Sequence, residues 1–116
     1  MKSAFFTFAL MIALFAPHHA VAQSASRRIE IHGKRFSFQP AEITLKKGET
    51  VTLALTSDDV PHSLLIKGLE VNSVMTKGHV TEVTITPSTV GDFQGKCGRF
   101  CGSGHGSMNF VAHVVN

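Results

Sequence analysis

The chain of 116 residues contains no tryptophan and no tyrosine, and only 16% of its residues are charged. Its formal net charge of +3 includes no long basic run and no aromatic residues interleaved with basic ones, which disfavours nucleic-acid binding. It has no nucleophile elbow, no helical H-E-x-x-H pair and no glycine-rich phosphate loop. These absences disfavour an enzyme. The length leaves room for one small domain.

The N-terminus has the pattern of a secretory signal peptide. Met1 and Lys2 precede an apolar run over residues 4–16, and the small residues Ala20 and Ala22 form a cleavage site. The run is shorter than the roughly 20 apolar residues that a membrane span needs. We therefore predict a cleaved leader over residues 1–22 and a mature periplasmic domain over residues 23–116, with no integral membrane segment.

Apolar residues alternate with polar ones along most of the mature chain. Val51, Leu53 and Leu55 give the clearest case, and similar stretches recur between glycines and prolines. Helical spacing is not sustained anywhere, and Leu69 to Lys77 is the least regular stretch, predicted as a loop or a single helical turn. Short strands at 8–12-residue spacing are typical of an antiparallel β-sandwich.

One segment between two predicted strands, Gly95 to Met108, holds five of the ten glycines and both cysteines. Cys97, Cys101, His105 and Met108 form a C-x3-C-x3-H-x2-M run. Thiolate, imidazole and thioether make a soft donor set, and the thioether favours copper. His62, after Pro61, offers a second imidazole from another loop.

Other readings of the two cysteines remain open at this point. A disulfide is common in exported proteins, but this one would close a very small loop and leave His105 and Met108 without a role. Zinc held by two cysteines and two histidines would also leave Met108 unused, and the spacing is not that of a zinc finger.

The cysteine run resembles the CuA loop of cytochrome c oxidase subunit II. The segment Thr56 to His62 resembles the T-S-x-D-V-x-H segment of the same family. The resemblance extends from about Phe38 to Val115. It implies an all-β, cupredoxin-like Greek-key β-sandwich with a copper site at one end.

Carried over to this sequence, the resemblance implies two copper ions with two bridging thiolates, one imidazole for each copper and one weak ligand for each copper. The resemblance assigns the bridging thiolates to Cys97 and Cys101 and the imidazoles to His62 and His105. The weak ligands are then Met108 and the backbone carbonyl of Arg99. Asp59 matches an acidic position that orients the His62 loop.

The resemblance implies a binuclear electron carrier, in which fixed ligands need little rearrangement when an electron arrives or leaves. Two alternatives remain. Cys101, His105, Met108 and His62 alone would supply a mononuclear blue copper site, so Cys97 is the discriminating residue. A periplasmic protein that delivers copper to an oxidase could use the same soft ligands.

The sequence also departs from the family. Subunit II carries two transmembrane helices before its copper domain, whereas this chain has only the predicted leader, and it has none of the aromatic residues of the electron-entry patch. We therefore expect a free-standing periplasmic relative rather than an oxidase subunit. Lys96 and Arg99 make the loop basic, which favours an acidic surface on a redox partner or copper-dependent oxidase.

Overall fold

The computed structural model describes residues 16–17 and 26–116, so the predicted leader lies almost entirely outside the described residues. The described chain forms nine strands: β1 (Arg27–Lys34), β2 (Ser37–Gln39), β3 (Glu42–Lys46), β4 (Val51–Ser57), β5 (His62–Ile66), β6 (Val71–Met75), β7 (Thr81–Ile85), β8 (Gly91–Cys97) and β9 (Asn109–Val115). Two short 3-10 turns, Lys67–Leu69 and His105–Ser107, are its only helical elements.

The strands form two packed sheets, one ordered β2-β1-β4-β7 and the other β3-β9-β8-β5-β6. Chain connections cross between the sheets, from β2 to β3 and back to β4. The predicted all-β sandwich of the cupredoxin type is confirmed.

The core between the sheets is built from the inward positions of the alternating strands. Phe38 and Phe110 are fully buried and meet edge to face, with ring centroids 5.9 Å apart. Such a pair adds about 0.5–1.5 kcal/mol beyond its buried area. Phe110 lies two residues after Met108, so this packing fixes the end of the cysteine loop.

Pairing between strands is mixed rather than purely antiparallel. β1 runs parallel to β4, with Ile31 opposite Leu55, and β3 runs parallel to β9, with Leu45 opposite Val114. The expectation of an antiparallel sandwich is therefore wrong for these two pairs. Alternation reports which face of a strand is buried, and it carries no information about strand direction.

The irregular stretch from Leu69 to Lys77 is also different from the expectation, because most of it is strand β6. Val71 and Met75 point into the core, but the inward position between them is Ser73, and Val74 faces solvent. Because Ser73 is polar and faces inward while Val74 is apolar and faces outward, the alternation of apolar and polar residues that marks a strand is not visible in the sequence here.

Candidate metal centre

The predicted ligands come from two neighbouring strand ends at one end of the sandwich. His62 is the first residue of β5 and Cys97 is the last residue of β8. These strands pair antiparallel, with Leu64 opposite Cys97, so the start of one lies beside the end of the other. The loop after Cys97 then returns through Met108 to β9.

This geometry brings all six predicted ligands into one cluster. The two sulfur atoms, Cys97 Sγ and Cys101 Sγ, lie 3.6 Å apart at its centre. Cys97 Sγ lies 3.9 Å from His62 Nδ1 and 3.1 Å from the carbonyl oxygen of Arg99. Cys101 Sγ lies 3.7 Å from His105 Nδ1 and 3.4 Å from Met108 Sδ.

The cluster therefore has two halves that meet at the sulfur pair. One half contains an imidazole nitrogen and a carbonyl oxygen beside Cys97, and the other contains an imidazole nitrogen and a thioether beside Cys101. Two thiols, two imidazoles and a thioether form the soft donor set that suits copper. The chemistry of the residues present thus fits a copper centre.

Most of the cluster is shielded from water. His62 and Met108 have no exposed surface, and both cysteines are buried, whereas His105 is half-buried. Phe100 is 76% exposed, and its ring lies beside the imidazole of His105, with the two ring centroids 6.0 Å apart. The His105 edge is therefore where the cluster comes nearest to solvent.

Asp59 orients the buried imidazole of His62. Its Oδ1 lies 2.8 Å from His62 Nε2, and backbone N–H groups of Arg35 and Val60 donate to the same carboxylate. These bonds, that from Arg35 first, lower the pKa of Asp59 well below its usual range. Because an ionised carboxylate only accepts hydrogen bonds, Nε2 carries the proton. In the neutral ring, the lone pair of Nδ1 then points towards Cys97.

The thiol of Cys101 is protonated before a metal arrives. Burial raises the pKa of Cys101 to about 11, and the neighbouring Cys97 contributes to the shift. Because the thiolate is the metal-binding form, copper binding must displace the proton of Cys101.

Sequence reasoning missed several residues that support the site. The hydroxyl of Ser63, next to His62, accepts a hydrogen bond of 2.9 Å from the N–H of Gly98 and so joins the start of β5 to the cysteine loop. Gly33 leaves room for His62, since a Cβ there would lie 3.2 Å from the imidazole. A serine beside a histidine and a glycine in a distant strand carry no recognisable signal.

A family model described as "Cupredoxin-like domain" matches residues 4–108. The chain belongs to the cupredoxin-like domain family. Its fold is related to the CuA domain of oxidase subunit II and to blue copper proteins, as the following similarities show.

Two curated relatives are oxidase subunits. Cytochrome c oxidase subunit 2 of Thermus thermophilus is 30% identical over 94 residues, covering 79% of this chain and 70% of the relative. The probable cytochrome c oxidase subunit 2 of Streptomyces avermitilis is 39% identical over 72 residues, covering 62% of this chain. The match spans only 23% of that relative's length.

Two solved structures share the fold. The periplasmic domain of subunit II of cytochrome oxidase (CoxB) of Bradyrhizobium japonicum matches with a TM-score of 0.73 and 20% identity, covering 81% of this chain and 87% of that one. Auracyanin A, a blue copper protein from Chloroflexus aurantiacus, matches with a TM-score of 0.64 and 16% identity, covering 78% of this chain and 100% of that one. The predicted resemblance to the CuA domain of subunit II is confirmed.

The described part of the chain contains no helix that is long and apolar enough to cross a membrane.

Proposed function

We propose that the chain is a periplasmic electron carrier with a binuclear CuA-type copper centre. One observation carries this proposal: the donor set divides into two halves around a shared pair of sulfur atoms, 3.6 Å apart. Each half has its own imidazole and its own weak donor. A single copper ion held by Cys101, His105, Met108 and His62 would leave the buried thiol of Cys97 without a role.

In this proposal the protein supplies a fixed, dry cage. Cys97 and Cys101 would bridge the two ions, His62 and His105 would each bind one, and Met108 and the carbonyl of Arg99 would be the weak ligands. Copper bound here would supply one-electron oxidation and reduction. The hydrogen bonds that Asp59 accepts from His62 and that Ser63 accepts from Gly98 hold the ligands in place, so little would need to move when the charge changes.

Six donors around two ions leave no position for a substrate, which favours a relay over an enzyme. Oxidase activity, in this view, belongs to a larger complex. The burial of both cysteines also favours a relay over copper delivery, since a delivery site must release its ion to a partner.

Metal counting combined with electron paramagnetic resonance tests the proposal. We expect the reduced, purified protein to bind two coppers per chain and, after partial oxidation, to show one unpaired electron shared by both nuclei. One copper per chain, with the spin on a single nucleus, would instead establish the mononuclear blue copper or delivery function.

The exposed rim of the cluster suggests the partner. Phe100 protrudes beside His105, the basic side chain of Arg99 is exposed in the same loop, and that of Lys96 is exposed at the end of β8, next to Cys97. We infer that electrons pass at this rim, to a redox protein or an oxidase that presents an acidic surface.

Charge reversal tests this docking surface. Lys96→Glu combined with Arg99→Glu should slow electron transfer to anionic hexacyanoferrate about tenfold at low salt and speed transfer with cationic hexaammineruthenium, because steering follows local charge. The backbone carbonyl of Arg99 is retained in this variant. Lys47→Glu, an exposed change in the β3–β4 turn, is the control and should alter both rates much less. Equal effects of the two variants would rule out transfer at this rim.

A further inference from the structure

The turn between β1 and β2 is bonded to the cysteine loop and, through Asp59, is connected to His62. The backbone N–H of Arg35 donates to Asp59 Oδ2 over 2.9 Å, and Asp59 in turn holds His62. The side chain of the same residue donates from Nε to the carbonyl oxygen of Cys101 over 3.1 Å. Arg35 is therefore bonded to the residue that supports one ligand, His62, and to the backbone of a second ligand, Cys101.

The next residue in the turn packs on the same loop. The ring of Phe36 lies over two loop glycines so closely that a Cβ on Gly102 would be 2.9 Å from it and one on Gly104 would be 2.4 Å from it. Gly106, in contrast, has nothing within 4 Å of such a Cβ. Gly102 and Gly104 thus have a specific packing role, whereas Gly106 does not.

We propose that Arg35 is a positioning residue for the metal centre, and that Phe36 with Gly102 and Gly104 forms the contact surface that holds the cysteine loop against it. The residues that bind the loop thus come from a third part of the chain, 66 positions before Cys101. Only the copper readouts of this inference rest on the proposed function.

The two bonds of Arg35 can be separated by mutation. Arg35→Met keeps the backbone N–H that holds Asp59, and removes only the bond to the Cys101 carbonyl and the positive charge. Arg35→Lys restores the charge without the Nε donor. Arg28→Met is a matched control. Arg28 in β1 pairs with Glu82 in β7, and both strands belong to the sheet that carries none of the predicted ligands.

The first measurement uses the metal-free, reduced protein, so it does not depend on copper. Arg35→Met and Gly104→Ala should each increase the rate at which a disulfide reagent modifies the two buried thiols, by about tenfold, because the loop that covers them is released. Gly106→Ala and Arg28→Met should leave that rate unchanged. If Gly104→Ala does not fold, Phe36→Leu removes the same contact with a smaller change.

The second measurement uses copper-loaded protein. Removing a residue that orients a ligand typically lowers metal affinity about 10–100-fold, and we expect Arg35→Met to fall in this range. Its reduction potential should also decrease, because a nearby cation favours the state with the extra electron, and Arg35→Lys should recover most of this shift but less of the affinity. Thiol reaction rates in Arg35→Met and Gly104→Ala equal to those of their controls would overturn the inference, whatever the copper count proves to be.

Discussion

Cys97→Ser should reduce the copper content from two ions per chain to one. The thiol of Cys97 joins the two halves of the donor set, lying beside His62 and the carbonyl of Arg99. Without it, one thiolate, two imidazoles and a thioether remain, which is the ligand set of a mononuclear blue copper site. Metal counting and electron paramagnetic resonance on the reduced, reloaded variant would show the spin on a single nucleus.

The two cysteines should not respond equally. Cys101 Sγ contacts Met108 as well as His105 and Cys97, so Cys101→Ser leaves His105 and Met108 with no thiolate beside them, and we expect most copper binding to be lost. Ser103→Ala, at an exposed position in the same loop, is the control and should keep both ions. Retention of two coppers and a shared spin in Cys97→Ser would refute the bridging role.

Copper should raise the thermal stability of the folded domain strongly. A ligand at a thousand times its Kd stabilises the native state by about 4 kcal/mol. For a domain of this size, each kcal/mol moves the Tm by about 4–8 °C. Differential scanning calorimetry of reduced protein with and without copper should therefore show a Tm difference of at least about 15 °C.

A variant that lacks both thiols provides the control for this stabilisation. Cys97→Ser combined with Cys101→Ser should melt at the same temperature with and without copper, since the ligands left are weak for this ion. A wild-type Tm that does not change with copper would contradict a folded, high-affinity site. An equal copper-dependent shift in the double variant would place the stabilising ion somewhere else.

Most of the strands, and the residue types and spacing of the candidate ligands, could be read from the sequence because both depend on local patterns. Alternation marks β4 clearly, and five of the six predicted ligands, all except His62, lie within the twelve residues from Cys97 to Met108. Strand β6 was not predicted, because Ser73 occupies an inward position and Val74 an outward one. The parallel or antiparallel direction of strand pairing could not be predicted either, since a strand buries the same face beside either kind of neighbour.

The supports of the site could not be predicted, because they depend on contacts between distant parts of the chain. Arg35 and Phe36 look like ordinary turn residues until the fold places them on a loop that begins more than sixty positions later. Gly102 and Gly104 read as flexible loop residues, although both are packed under an aromatic ring. Residue type and spacing identify donors, but they do not reveal what holds the donors in place.

The parallel pairing of β3 with β9 has a consequence for the order in which the metal centre is assembled. β9 directly follows the cysteine loop and lies between β3 and β8, so the strand that ends the loop completes the middle of its sheet. Until β9 pairs, Met108 and Phe110 have no fixed position, and Cys101 lies on a segment that is anchored only at its start, where Cys97 pairs with β5. Before β9 pairs, the ligands are thus not held together, and copper should bind only after the sandwich has formed.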